Sequence, residues 1–321
     1  MELRESNLDA SPIPAYDFSM TRFASACLLG VLIATFCAKL HASDTPAVVG
    51  ILEDVPGKYV GEANVRAVRV VFHKDGKEWS AFPSHCPNPD CLKTISFHYP
   101  ADVLRTIAFD GRKLGEVAAK TPKSYNFYSD VGMQEIVNKD SVPTIGARSM
   151  NYSGFLSSPV FRPLVADSHP YFRDPDSWKP AQLSSDLTKL LRKRFRDKFP
   201  KVENCANPNE NVLKPWFYKD ENIKVLKAYG SAKKWFLAEI QLGEYGCDGP
   251  ADDAFGDLWF VISPKGEIKF LDMGMWLVDA GDYDNDGRSE LIFSIDRYNR
   301  GGYELFYDEF SKSATFEFNY H

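Results

Sequence analysis

Acidic residues recur at alternate positions in one short segment near the C-terminus of the chain. Residues 282–290 read Asp-Tyr-Asp-Asn-Asp-Gly-Arg-Ser-Glu. A tight turn in this segment directs several hard oxygen atoms at one point, and calcium accepts such oxygens at long, flexible distances. The segment therefore predicts a calcium-binding loop. Its expected ligands are the side chains of Asp282, Asp284, Asp286 and Glu290 and the backbone carbonyl of Arg288.

The loop differs from an EF-hand at the position that closes it. An EF-hand loop ends in a bidentate glutamate at its twelfth position and is flanked by helices, whereas the twelfth position here is Phe293. Glu290, at the ninth position, is the expected closing ligand. The run that follows, Leu-Ile-Phe-Ser-Ile, is short and apolar, which indicates a buried strand. Gly287 is expected where the chain reverses, because glycine adopts positive φ without strain.

A solvated turn between two strands is the alternative interpretation of this acidic segment. Carboxylates at alternate positions repel one another at short range, and like charges this close disfavour simultaneous ionisation. A bound cation removes that repulsion, so we favour the calcium loop. A closed set of ligands leaves no open coordination position, which metal catalysis requires. The expected role of the ion is therefore structural.

Residues 280–292, Ala-Gly-Asp-Tyr-Asp-Asn-Asp-Gly-Arg-Ser-Glu-Leu-Ile, resemble the calcium-binding core of an FG-GAP/VCBS-type repeat, the blade unit of integrin-alpha-like β-propellers. Residues 301–306, Gly-Gly-Tyr-Glu-Leu-Phe, are similar to the strand that closes such a blade. The resemblance covers roughly residues 275–310 and occurs once in the chain. It implies a propeller-like surface for adhesion or ligand recognition. Separately, the aromatic residues at 298–303 are candidates for stacking on a sugar or contacting a protein, with a place in the core as the alternative.

The composition is that of a folded protein rich in aromatic residues. Of the 321 residues, 44% are hydrophobic and 14% are aromatic. Aromatic and branched side chains suit a pleated, half-buried surface. We therefore expect a mainly β fold of antiparallel hairpins in a propeller-like or sandwich arrangement. The net charge of −6 gives no basic footprint for nucleic acid, which we exclude as a partner.

The first 43 residues have the pattern of a secretory signal peptide. An apolar run at 23–38 follows Arg22 and precedes small residues near position 43. The run is shorter than the roughly 20 apolar residues of a membrane span, although an uncleaved anchor is the alternative. Because residues 1–19 are polar, Met20 is a better start than Met1. We expect a secreted or periplasmic protein without a stable membrane span in its mature form.

Four of the six cysteines follow the predicted signal peptide. An even number of cysteines in an oxidising compartment predicts two disulfides, and four cysteines allow three pairings. Proximity in the sequence favours Cys86–Cys91 and Cys205–Cys247. For the first pair, a zinc site formed together with His85 and His98 is the alternative.

Turn and helix signals divide the rest of the chain. Asp-Gly pairs at 75–76 and 110–111 lie between strand-like runs and predict hairpins. Leucine and phenylalanine recur at spacings of three and four between Leu187 and Phe199, which predicts an amphipathic helix at about 184–199. Its basic face either docks on an acidic surface or, as we favour, is the solvent side of a helix packed on a sheet.

The expected organisation follows from these signals. The signal peptide (1–43) precedes an N-terminal β region (44–165), an irregular linker with the helix (166–210) and a C-terminal β region that contains the calcium loop (211–321). A second cation loop is considered at Asp248, Asp252 and Asp253, whose spacing is irregular.

No catalytic sequence motif is present. The chain lacks a Gly-x-Ser-x-Gly elbow, a His-Glu-x-x-His helix and a phosphate-binding glycine loop. We therefore expect an exported, calcium-stabilised binding or adhesion-type protein. The alternative is a secreted hydrolase whose site lies in the proline-rich 122–180 region or in the 247–253 loop.

Overall fold

Antiparallel strands make up most of the structure, a computed structural model of the chain. The predicted mainly β fold is confirmed. The described residues are 46–55, 65–84, 89–121, 133–137, 163–170, 172–205, 212–243, 257–297 and 300–319. Outside these ranges lie the predicted signal peptide and five residues of predicted sites: Cys86, Cys247, Asp248, Asp252 and Asp253. Within the described part of the chain, no helix is both long and apolar enough to cross a membrane.

Eighteen strands, two α-helices and one short 3-10 helix are described. The strands are β1 Val48–Val55, β2 Val65–Asp75, β3 Glu78–Ala81, β4 Leu104–Phe109, β5 Arg112–Ala118, β6 Met133–Glu135, β7 Leu164–Asp167, β8 Lys179–Pro180, β9 Val202–Cys205, β10 Leu213–Trp216, β11 Ile223–Gly230, β12 Phe236–Leu242, β13 Leu258–Ile262, β14 Ile268–Phe270, β15 Met275–Gly281, β16 Glu290–Arg297, β17 Arg300–Tyr307 and β18 Lys312–Asn319. The helices are α1 Pro89–His98, α2 Ser185–Lys198 and the 3-10 helix Asp220–Asn222.

The strands form three main sheets and a two-stranded ribbon of β9 and β10. In the N-terminal sheet the order is β3-β2-β1-β7-β4-β5, with β6 paired to β2. The α2 sheet, named for the helix that covers it, has the order β14-β13-β12-β11-β8. The C-terminal sheet is a meander of β15, β16, β17 and β18. All their strand pairs are antiparallel.

The C-terminal sheet lies between the other two sheets. On β16, Ile292 belongs to the core shared with the N-terminal sheet. Its neighbours Leu291 and Phe293 belong to the core shared with Leu237 and Trp259 of the α2 sheet. Successive strand residues point to opposite faces, so both faces of the sheet are buried at β16. That burial explains why the sequence there is a continuous apolar run.

The α2 sheet is covered on its outer face by the predicted helix. Leu191 and Phe195 of α2 are buried against strand residues that include Phe260. The Ser184 side chain caps the helix by accepting a hydrogen bond from the Leu187 N–H at 3.2 Å. The helix prediction is confirmed, with bounds within one residue of those expected.

Arginines on α2 bind the sheet beneath the helix. Arg192 and Arg194 donate hydrogen bonds to backbone carbonyls of Ile223 and Ile268 at 3.3 and 3.2 Å. Arg196 donates to the carbonyl of Tyr218 at 3.1 Å. These contacts support our interpretation of α2 as a helix packed on a sheet.

Helix α1 was not predicted, because the sequence pattern around it indicated strands and a cysteine loop. Pro89 suits the first turn of a helix, and Asp90 in that turn complements the helix dipole. Ile95 within the helix and Tyr99 just after it join the core of the N-terminal sheet.

Both predicted Asp-Gly hairpins are present. In the hairpin of β2 and β3, the last residue pair before the turn is Asp75 with Glu78. In the hairpin of β4 and β5, it is Phe109 with Arg112. In the second turn, Asp110 and Gly111 both have positive φ, 51° and 68°. That conformation matches the turn type that Asp-Gly favours in two-residue hairpins.

Candidate metal centre

The predicted loop connects β15 to β16 in the C-terminal sheet. Gly281 and Glu290 pair across the two strands, so residues 282–289 form the connection between them. Gly287 has a φ of 85° and Asn285 a φ of 59°, the two conformations that reverse the chain. Asparagine tolerates this left-handed region better than most residues. A strand follows the loop, as the sequence predicts.

Three of the predicted ligands converge. One ligand atom each from Asp282, Asp284 and Glu290 lies within 4.8 Å of the other two. Asp282 is fully buried, Glu290 is 3% exposed and the side chain of Asp284 is 3% exposed. The Oδ1 atom of Asp282 is buried and accepts no hydrogen bond. A buried carboxylate oxygen without a partner fits a hard cation with oxygen ligands.

Backbone hydrogen bonds hold these carboxylates in place. Oδ2 of Asp282 accepts from the Gly287 N–H at 3.0 Å, and Oε2 of Glu290 accepts from the Tyr283 N–H at 2.9 Å. Oδ1 of Asp284 accepts from the Asp286 N–H at 3.0 Å. Each side chain therefore uses one oxygen to fix the loop, so the geometry of the triad is set by the loop backbone.

Asp286 is described but lies outside the triad. Its Oδ1 accepts from the Arg288 N–H at 2.8 Å and its Oδ2 from the Arg288 guanidinium at 2.7 Å. The same guanidinium donates to Asp308 at 2.9 Å. The structure therefore pairs Asp286 with Arg288 at the exposed side of the loop. Ligation by Asp286 and by the Arg288 carbonyl stays a prediction.

Burial and mutual repulsion disfavour the charged forms of these carboxylates. Burial raises the pKa of Asp282, and the charges of Asp284 and Asp286 add to the increase. Burial also raises the pKa of Glu290 well above its ordinary value, with the charge of Asp284 as the next cause. A nearby cation favours ionisation of such groups. The site is therefore suited to a positive charge.

Lys74 of β2 supplies one positive charge. Its ammonium group forms an ion pair with Oδ2 of Asp284, and 18% of its side chain is exposed. The same ammonium lies 5.9 Å from the centre of the Trp79 ring. Sequence reasoning missed Lys74, because 210 positions separate it from Asp284 and no local pattern connects them.

A segment at 172–178, which we call the strap, crosses the loop. The Arg173 carbonyl accepts from the Asp282 N–H at 2.9 Å. Ser289 donates through its hydroxyl to Asp174 and through its N–H to Asp176. This segment falls in the predicted irregular linker (166–210), and the pattern around Pro175 gives no sign of these contacts.

Tyr283 connects the loop to a second polar group. His169 donates from Nδ1 to the Tyr283 carbonyl at 2.9 Å, and Asp167 accepts from the His169 N–H at 3.2 Å. Asp167 is fully buried, and burial raises its pKa to about 6. These residues fix the loop backbone between two ligands of the triad.

Each of the two predicted disulfides has one cysteine among the described residues and one outside them. Cys205, at the end of β9, is disulfide-bonded, and its predicted partner Cys247 lies outside the described residues. Cys91 lies in α1. His98, considered for zinc, stacks on His73 with ring centres 5.0 Å apart. The Cys86–Cys91 disulfide and the alternative zinc site stay predictions.

Together, the stacked antiparallel sheets and the buried acidic loop define a mainly β protein with a candidate cation site. Comparison of the chain with known proteins finds no matching family model, curated protein or solved structure. The functional argument therefore depends on the residues of this chain.

Proposed function

We propose that the protein is an exported binding or adhesion-type protein in which a calcium ion in the 282–290 loop stabilises the stacked sheets. The observation that carries the proposal is the convergence of Asp282, Asp284 and Glu290 around a buried, unpartnered oxygen of Asp282. The resemblance of the loop to FG-GAP/VCBS repeats supports the same assignment.

Ligand chemistry favours calcium over other common ions. The triad contains only carboxylates, and oxygen ligands suit calcium, magnesium and manganese, whereas zinc sites usually include histidine or cysteine. Magnesium demands near-ideal octahedral geometry and usually keeps several waters. An irregular loop with buried carboxylates better suits the flexible coordination of calcium.

The position of the loop supports a structural role for the ion. The loop contacts the strap through Arg173, and His169, just after β7 of the N-terminal sheet, donates to its Tyr283 carbonyl, while its own strands belong to the C-terminal sheet. A cation there stabilises three parts of the molecule at once. Burial of Asp282 and Glu290 argues against the open position that a catalytic metal needs.

Export is supported by the disulfide at Cys205, since disulfides persist mainly in oxidising compartments. The expected ligand is a protein or a carbohydrate.

The first test measures calcium binding and its effect on stability. After treatment with a chelator, the protein should bind calcium in a calorimetric titration. Calcium at 100 times its Kd should stabilise the folded state by about 2.7 kcal/mol. We expect Asp282→Asn to abolish most of that gain. It should not lower the melting temperature in chelator, because it removes a buried charge.

Asp197→Asn is the matched control, because Asp197 is exposed on α2 and distant in sequence from the loop. This variant should keep the calcium response. A wild-type protein with no calcium binding and no shift in melting temperature would refute the proposal.

A further inference from the structure

Lys74 reaches the loop from a different sheet. It lies on β2, next to the turn that joins β2 to β3, and its ammonium pairs with Asp284 in the loop between β15 and β16. Asp284 is one of the three converging carboxylates. An incoming divalent cation and the lysine ammonium therefore compete for the same side chain, since both are stabilised by its negative charge.

We infer that Lys74 is an internal counter-cation of the loop, which gives up Asp284 when a divalent ion binds. This inference rests on the proposed calcium site. In the absence of a divalent ion, Lys74 offsets part of the repulsion among the buried carboxylates. In its presence, Lys74 lowers the affinity for the ion, because the ion pair with Asp284 must be broken first. Lys74 thereby sets the calcium concentration at which the loop fills.

The displaced ammonium has a second partner close by. Trp79 lies opposite Lys74 on the adjacent strand β3, and its ring centre is 5.9 Å from the ammonium. A cation at about 6 Å or less from an aromatic ring is attracted by the π face. The side chain can therefore leave Asp284 and remain near Trp79 without a movement of the strand.

The hairpin of β2 and β3 keeps other contacts with the C-terminal sheet. Glu78 accepts hydrogen bonds from Tyr307 at 2.8 Å and from Lys312 at 2.7 Å. Breaking the pair of Lys74 with Asp284 therefore leaves the hairpin attached. The change on binding is confined to the Lys74 side chain and the loop.

The test compares Lys74→Met with Lys77→Met by calcium titration. Methionine retains the length and apolar stem of lysine but has no charge. Lys77 lies in the same hairpin and is exposed, so it controls for the loss of one positive charge. We expect Lys74→Met to bind calcium about tenfold more tightly than the wild type. Lys77→Met should bind with wild-type affinity.

Melting temperatures give an independent reading. In chelator, Lys74→Met should melt at a lower temperature than the wild type, because the acidic triad loses its counter-cation. In saturating calcium, it should melt at the same or a higher temperature. If Lys74 had only a structural role, its replacement would lower the melting temperature equally under both conditions. That result would overturn the inference.

Tryptophan fluorescence reports the movement directly. Calcium should change the emission of the wild type, and the change should be much smaller in Trp79→Phe and in Lys74→Met. Equal or weaker calcium affinity in Lys74→Met would refute the competition while leaving the calcium site intact. Absence of calcium binding in both the wild type and Lys74→Met would instead refute the proposed function, and the inference with it.

Discussion

Buried carboxylates are a prominent feature of this chain. They occur in all three sheets, in the strap and in the loop that follows β15. An ionised carboxylate in the protein interior is costly unless it is paired or binds a metal, so each of these residues must have a compensating partner or a raised pKa. Among the residues that the structure describes, the buried acidic ones are Asp167, Asp176, Glu239, Asp279, Asp282, Glu290 and Glu304.

Glu239 and Asp257 show how one such carboxylate is accommodated. Glu239 on β12 is 1% exposed and forms an ion pair with Lys227 at 2.8 Å. The pKa of Asp257 is raised to about 7, first by burial and then by the charge of Glu239 and a hydrogen bond to Glu239. Asp257 therefore keeps its proton to a higher pH than an ordinary aspartic acid does.

This arrangement predicts a pH dependence of stability. The folded-state pKa of Asp257 lies above its ordinary value of 3.8. Its contribution to the stability of the folded protein is therefore fully present below pH 3.8 and is lost as the pH rises towards 7. Asp257→Asn removes the titration and keeps a donor for Glu239. At pH 8 we expect the variant to be more stable than the wild type by on the order of 1 kcal/mol, since solvent screens this partly exposed group.

Urea denaturation at pH 4 and pH 8 checks the prediction. The difference between the variant and the wild type should be small or reversed at pH 4. A difference of the same size at both pH values would show that Asp257 does not titrate in this range.

The strap is the element on which the loop depends most closely. A Cβ atom added at Gly281 would lie 2.0 Å from the Phe172 ring, a distance that no packed structure tolerates. The Phe172 ring also packs on Tyr283, with ring centres 5.3 Å apart. Glycine at 281 is therefore required for the strap to lie against the end of β15.

Gly281→Ala tests this contact. We expect the variant to lose about 1–3 kcal/mol of unfolding free energy, as overpacked cores do, and to bind calcium more weakly because the strap is displaced. Combining it with Phe172→Ala provides the space for the new methyl group. In a double-mutant cycle, the double variant should be less destabilised than the sum of the two single variants. Additive effects would show that the two residues are not in contact.

The molecule as a whole is a stack of sheets joined by polar contacts as well as by its core. Glu53 of β1 accepts a hydrogen bond from the Tyr303 hydroxyl at 2.5 Å and is paired with Arg69 at 2.9 Å. Arg69 in turn lies 5.0 Å from the Phe318 ring. These contacts connect the N-terminal and C-terminal sheets at a largely buried position, which fixes how one sheet lies on the other.

Two tyrosine variants compare contacts between these sheets. Tyr303→Phe removes a hydrogen bond to the partly buried Glu53, whereas Tyr307→Phe removes one to the exposed Glu78. Hydrogen bonds to charged groups contribute about 1.5–3 kcal/mol when they are shielded from water. We expect Tyr303→Phe to lower the free energy of unfolding by nearly that amount, and Tyr307→Phe to lower it by clearly less.

Urea denaturation measures both losses. An unchanged m-value in both variants is expected if the stacked sheets unfold as one cooperative unit. Equal losses in the two variants would contradict the role assigned to burial.

The sequence alone predicted the features that depend on neighbouring residues. Asp-Gly pairs specify two-residue turns, and the spacing of leucine and phenylalanine specifies one face of α2. The loop, Gly287 at its reversal and the strand after it followed from the spacing of carboxylates and the apolar run. Each of these depends on interactions over a few positions, which a sequence pattern records.

The tertiary structure alone decided which distant residues meet. It placed the C-terminal sheet between two others, selected Asp282, Asp284 and Glu290 from the predicted ligands, and brought Lys74 and the strap to the loop. It also formed α1 in a region where the sequence pattern indicated strands and a cysteine loop. Contacts of this kind depend on how sheets pack, because packing joins residues far apart in the chain without any fixed spacing between them.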